Sequence, residues 1–166
     1  RFLRAGSRWG HAVTRILLAF VLFSGCVLFR PSPTPSCVSR CGLYLWPPAP
    51  VSCEWIQAVE DRAIIAYEPI WPNACAVLRR TGVEFFLAEQ VIDGGVTLPD
   101  GRRVAGVTYD ISATVRLAVP EALCHELAHV LEYRVGPVPA VEHGNWTERG
   151  IWQAVAQCQR DPGGMP

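Results

Sequence analysis

Lysine is absent from this chain, and all fifteen of its basic residues are arginine. That is a bias of composition rather than of chemistry. Histidine is nearly as scarce, with four in 166 residues. No two cysteines stand in a C-x-x-C pair, which argues against a cysteine-built zinc ribbon. An excess of positive charge is missing as well. Arg1, Arg4, Arg8 and Arg15 precede Cys26 with no acid among them, and beyond Cys26 eleven arginines face fifteen acidic residues, a net of −4. A surface of that balance offers no footprint for phosphate backbones, so nucleic acid is not an expected partner. Internal repeats are missing too. Half of the chain is apolar, enough for a domain of about 120 residues to bury a core.

The N-terminal 29 residues have the pattern of an export signal. A basic stretch leads into an apolar run over residues 16–23, followed by Ser24-Gly25-Cys26. A small-small-Cys ending resembles a bacterial lipobox, which makes Cys26 the candidate lipidation site. The apolar run continues to Phe29, so an uncleaved membrane anchor or a buried core helix are the competing readings. The first two place the domain outside the cytoplasm, attached to the membrane through a lipid or an anchor. Setting Cys26 aside leaves Cys37, Cys41, Cys53, Cys75, Cys124 and Cys158, an even set suited to three bridges in an oxidising compartment. Fifteen pairings of six are possible.

Three regions follow: 1–29 as the signal or anchor, 30–52 as a Pro-rich tether with a cysteine-containing loop, and 53–166 as the folded domain. Regular structure is expected from about Cys53. Residues 63–70 suggest a strand ended by Pro69, and Asn73 suggests the N-cap of a short helix over 74–78. Residues 83–92, 104–109 and 114–118 read as strands, with turns at Asp93-Gly94-Gly95 and Pro99-Asp100-Gly101. A helix should start at Pro120 and stop by Gly136-Pro137, with Leu123, Leu127, Val130 and Leu131 as its apolar stripe. Asn145 and Glu148 are spaced as a capping box for a last helix that buries Ile151, Ala154, Val155 and Cys158. Cys158 is the most attractive partner for Cys124, since that bridge would clamp the two helices together.

The chemistry concentrates in His125-Glu126-Leu127-Ala128-His129. On a helix, residues four apart project from one face, so both imidazoles can reach one tetrahedral Zn²⁺. Glu126 lies about 100° around, placed to take a proton from water without ligating the metal. Zn²⁺ lowers the pKa of water towards ~7, which lets such a site attack a carbonyl. A catalytic zinc site takes three protein ligands. Outside the leader the only other histidine is His143, the natural third ligand, with Glu142 and Glu148 as alternatives. Tyr109, Tyr133, Arg134 and Arg149 are candidate donors to a developing oxyanion, each more readily explained as structural. Trp146 reads as packing that fixes the His143 loop.

This motif, followed by Glu142-His143-Gly144-Asn145-Trp146, resembles the small zincin metallopeptidases of the SprT-like and related minimal groups. The resemblance covers residues 104–158. It implies an α+β zincin-like fold: a small twisted sheet, an active-site HExxH helix and a C-terminal helix, with extended substrate received at the sheet edge. Val135 departs from metzincin spacing. The DNA-linked role of SprT-like proteins does not carry over to an acidic domain with an export leader. The function implied is a zinc metallopeptidase with a protein or peptide substrate, with Glu126 as general base and His125, His129 and His143 as ligands. A zinc amidase of cell-wall peptides is the alternative within the same chemistry. An exported lipoprotein with a structural or degenerate metal site is the non-catalytic one.

Overall fold

Ser52 opens the first long helix. Its hydroxyl accepts from the Trp55 amide at 3.2 Å, capping α1 (Cys53–Tyr67) with Glu54 in the first turn. The computed structural model describes residues 34–109, 113–135 and 143–160. Cys26, Glu142 and the whole leader lie outside them. Along α1 the buried positions are Ile56, Val59, Glu60, Ala63, Ala66 and Tyr67, spaced by threes and fours as one helical face demands. Residues 63–67 therefore belong to this helix and not to a strand. Their short apolar run looks like a strand in isolation, and only the fifteen-residue register decides otherwise.

The short α2 (Ala74–Leu78) forms where expected, but Asn73 does not cap it with its side chain. Asn73 sits in the left-handed region at φ 66°. Glu68, just past the end of α1, accepts from the Asn73 and Ala74 amides at 2.7 and 2.9 Å instead. A carboxylate at the N-terminus of α2 also suits that helix's dipole.

Regular structure begins before Cys53. β1 (Cys37–Val38) and β2 (Tyr44–Leu45) form an antiparallel pair. β3 (Gly82–Phe85) runs parallel to β2, which is shorter than the strand expected over 83–92, since residues 88–90 form a 3₁₀ turn. β4 (Val96–Thr97) and β5 (Arg103–Val104) make a separate hairpin. β6 (Gly106–Tyr109) and β7 (Thr114–Leu117) pair antiparallel. The main sheet has the order β1-β2-β3-β7-β6, with β3 and β7 parallel, so among the described residues β6 is an edge strand.

Pro120 starts a 3₁₀ turn (Pro120–Ala122) that leads directly into α3 (Leu123–Val135). Proline there loses no helical bond, because the first amides of a helix have no partner anyway. Leu123, Leu127 and Leu131 are fully buried, each contributing about 2 kcal/mol. The last helix, α4 (Ile151–Gln159), starts after Gly150, whose φ is 70°. The expected Asn145–Glu148 capping box does not form. Residues 143–150 make successive turns in which the Asn145, Trp146 and Thr147 carbonyls accept from Arg149, Ile151 and Gly150. Ile151, Ala154, Val155 and Cys158 are buried as expected.

Two disulfides brace this α+β arrangement. Cys41–Cys75 ties the β1–β2 turn to α2, and Cys124–Cys158 ties α3 to α4. Each spans 34 residues, a loop whose closure restricts the unfolded chain by about 4 kcal/mol. Cys124 is fixed from the other side too, where the buried Tyr67 hydroxyl donates to its carbonyl at 2.5 Å. Burial pushes that phenol well above its ordinary range.

Candidate metal centre

The helical rise of α3 puts His125 and His129 one turn apart on the face turned away from the leucine stripe. The turn after residue 142 brings the third imidazole back to them. His143 sits at φ 56°, a left-handed conformation uncommon for a residue with a side chain and one that recurs at functional sites. The three Nε2 atoms are 3.2, 3.1 and 3.1 Å from one another. Tetrahedral coordination at ~2.0–2.1 Å requires nitrogens roughly 3.3–3.4 Å apart, so the triangle is close to the size a metal ion needs.

Electrostatics favour the same reading. Burial first, and the neighbouring imidazoles second, lower the His125 pKa to about 4 and that of His129 to about 3. Both rings are thus uncharged at neutral pH, the form that donates a lone pair to a metal. Three nitrogens crowded this closely cannot all satisfy one another by hydrogen bonds, whereas one cation accepts all three lone pairs. The centre also carries a cost. His129 Nδ1 is buried without a hydrogen-bond partner, an orphan of the kind structures keep at functional positions.

Trp146 forms the floor. It is fully buried, with ring centroids 5.1, 4.6 and 4.5 Å from those of His125, His129 and His143. Its indole Nε1 donates to Glu132 at 2.8 Å, and Arg149 donates to the same carboxylate at 3.2 Å. Glu132 lies three residues past His129 on α3, so it anchors the His143 loop to the helix that carries the other two histidines. Trp152, 40 % exposed, lies against His125 and His143 with centroids at 5.6 and 5.2 Å.

Glu126 points to the sheet edge. Thr108 on β6 donates to its Oε2 at 2.7 Å and lies 3.1 Å from its backbone carbonyl. Desolvation raises this carboxyl to about 7, opposed in part by the Thr108 bond. A group with that pKa can take up and return a proton near neutrality. Gly106 makes room for it, since a Cβ there would lie 2.8 Å from Glu126 Cγ and 2.9 Å from Oε1. The three histidines, Glu126, Gly106 and Thr108 line a cleft of about 690 Å³ whose other walls include Val104, Val107, Val119 and Ala122.

The remaining candidates divide clearly. Glu148 is exposed and stands outside the histidine cluster, which leaves His143 as the third member among the described residues. Arg149 is held by Glu132 and lies over the Trp71 ring at 5.3 Å. Arg134 donates to the Val77 and Arg79 carbonyls, fastening α3 to the end of α2. Tyr109 is exposed at the end of β6. Tyr133 alone of the four oxyanion candidates lines the cleft, and its ring stacks on His129 at 6.1 Å. Gly106, Thr108 and Glu132 went unnoticed in the sequence. Only Glu132 left a signal there, a carboxylate one helical turn beyond His129.

Fold and site together define an α+β domain with a three-histidine centre able to hold a metal ion. No protein-family model, no curated protein and no solved structure matches the chain.

Proposed function

We propose that this domain is a zinc-dependent peptidase of zincin-like design that acts outside the cytoplasm. The observation that carries the reading is the convergence of three imidazoles, two of them held neutral by burial, beside a buried carboxyl on the helix that bears those two. An all-imidazole donor set suits Zn²⁺ better than the hard cations, which prefer oxygen. Zinc held there would supply Lewis acidity that acidifies water and polarises a scissile carbonyl. The chain's own groups do the rest. Glu126 accepts the proton of the attacking water and returns it to the leaving amine, so no net charge accumulates. Thr108 holds one carboxylate oxygen and fixes the angle of the other. Tyr133, which lines the cleft beside His129, is the candidate donor to the developing oxyanion. The strand β6 borders the cleft and pairs on one side only among the described residues, which fits an extended chain as substrate.

Export is supported by the two disulfides, since such bridges persist in oxidising compartments. Among the described residues no helix is long and apolar enough to cross a membrane. Attachment through Cys26 or through the apolar leader is part of the proposal. Mass spectrometry of the membrane-associated protein should show acylated Cys26 or an intact leader.

Purified full-length protein should contain one zinc per chain and cleave casein. A strong chelator should abolish cleavage and added zinc restore it. Metal-free protein with full proteolytic activity would sink the reading, and cleavage of peptidoglycan fragments instead of casein would move the substrate to cell-wall peptides. Gly106→Ala tests how closely Glu126 is placed. The added methyl must displace the carboxylate by several tenths of an ångström or more, and misplacement on the scale of 1 Å costs ~100-fold in rate. The expected result is kcat reduced by up to that factor with zinc content and KM retained. A variant as fast as the parent would show that Glu126 needs no exact position.

A further inference from the structure

Two described cysteines lie outside the bridges, and the fold sets them side by side. The segment from Ser36 to Cys41 runs along the first two turns of α1 in a fixed register. At one end Cys53 Sγ lies 3.8 Å from the Ser36 carbonyl. Four residues on in both segments, the Arg40 amide donates to Gln57 Oε1 at 2.7 Å. Beyond that, the Cys41 amide donates to Glu60 Oε1 at 2.9 Å, Ser39 donates to Glu60 Oε2, and Arg40 pairs with Asp61 at 3.3 Å. Ser36 is itself held, since its amide and hydroxyl both donate to the Leu45 carbonyl, at 2.8 and 3.0 Å. Cys37 is thereby placed opposite Cys53, with the Cys41–Cys75 bridge locking the far end of the segment.

We propose that Cys37 and Cys53 form a third disulfide, which staples β1 to the first turn of α1 once the chain meets a small-molecule disulfide oxidant. The two thiols are already in hydrogen-bonding contact, and desolvation together with that contact holds the Cys37 thiol up at about 11. Cys53 is exposed and is the sulfur that oxidant reaches first. The exchange balances in two steps. Cys53 sulfur attacks glutathione disulfide, releasing one glutathione thiol and forming a mixed disulfide; Cys37 sulfur then displaces the second glutathione. Two S–H bonds and the glutathione S–S bond break, the Cys37–Cys53 bond forms, and both protons end on glutathione. The bridge closes the loop that carries β2 and keeps the hairpin end of the sheet on α1. It lies outside the histidine centre and holds independently of any zinc chemistry.

The test is site-resolved. Full-length protein is incubated with glutathione disulfide, alkylated with iodoacetamide and digested without reduction. Peptides bearing Cys37 and Cys53 should be linked to each other, two hydrogens lighter than the free pair. Carbamidomethyl groups on both residues, a lasting glutathione adduct on either, or a link from either to Cys26 would overturn the proposal. In Cys53→Ser, Cys37 should become fully alkylated. A Cys37 bridge to another cysteine in that variant would also overturn it, because the register would then not be selecting the pair.

Discussion

Replacing Glu126 by Gln is expected to lower kcat by ~10³-fold while zinc remains bound at one equivalent. General acid–base catalysis by a placed side chain accounts for about 10²–10⁴ in rate, or roughly 3–5 kcal/mol of barrier at 1.36 kcal/mol per decade. Glutamine keeps the shape and can still accept from Thr108, whose hydroxyl reaches Oε2 at 2.7 Å. It cannot take a proton. The substitution also removes a carboxyl whose burial works against its charged form, so the variant should be no less stable than the parent. Loss of turnover together with an unchanged or higher melting temperature therefore separates a chemical role from a structural one. Turnover within a factor of three of the parent would remove Glu126 from the mechanism. Glu126→Asp makes the complementary point, because a shorter carboxylate keeps the basicity but loses the Thr108 contact. Its rate should fall between the two.

The parts of this molecule legible in its sequence are those governed by short periods or by scarcity. His125 and His129 share a helix face because helical geometry requires it, and His143 joins them as the one histidine left outside the leader. The leucine stripe of α3 and the buried face of α4 are local patterns of the same kind, and the Cys124–Cys158 bridge follows once two such faces must meet. Residues 63–70 look like a strand because eight residues hold too little of a period to tell strand from helix. β1 and β2 were hidden for another reason. Each is two residues long, and the turn between them is held by the Cys41–Cys75 bridge and the Glu60 carboxylate, contacts that pattern reading cannot pair. Gly106 and Thr108 illustrate the hardest case. Nothing in Gly-Val-Thr-Tyr announces a contact with a glutamate some twenty residues away, because that contact depends on the register of β6 against β7 and on the packing of α3 beneath the edge. The last helix shows local signal overruled by tertiary need. Asn145 and Glu148 have capping-box spacing, yet Trp146 between them is drawn into the floor of the centre and α4 starts only at Ile151.

His143→Ala should cut zinc affinity by ~10³-fold or more, about 4 kcal/mol, and turn the protein into one that loses its metal to weak chelators. The magnitude follows from ligand number: three imidazoles fix three corners of a tetrahedron, and two leave the ion half solvated. Glu132→Gln is the informative comparison. It leaves all three ligands in place and can still accept the Trp146 indole N–H, but it gives up the ion pair with Arg149 at 3.2 Å. Partners of this indirect kind are worth ~10–100-fold in metal affinity, and here the lower end is expected because Arg149 is partly exposed and its attraction is screened. The two variants should therefore rank His143→Ala well below Glu132→Gln, read by competition with a chromogenic chelator. Thermal stabilisation by added zinc should shrink in the same order, since a ligand stabilises the folded state in proportion to the logarithm of its concentration over Kd. If His143→Ala binds zinc as tightly as Glu132→Gln, the third ligand is elsewhere, and Glu142 and Glu148 become the residues to replace. If instead both variants lose zinc completely, the loop beyond residue 142 is held by Glu132 and Trp146 alone, and His143 is positioned by that floor.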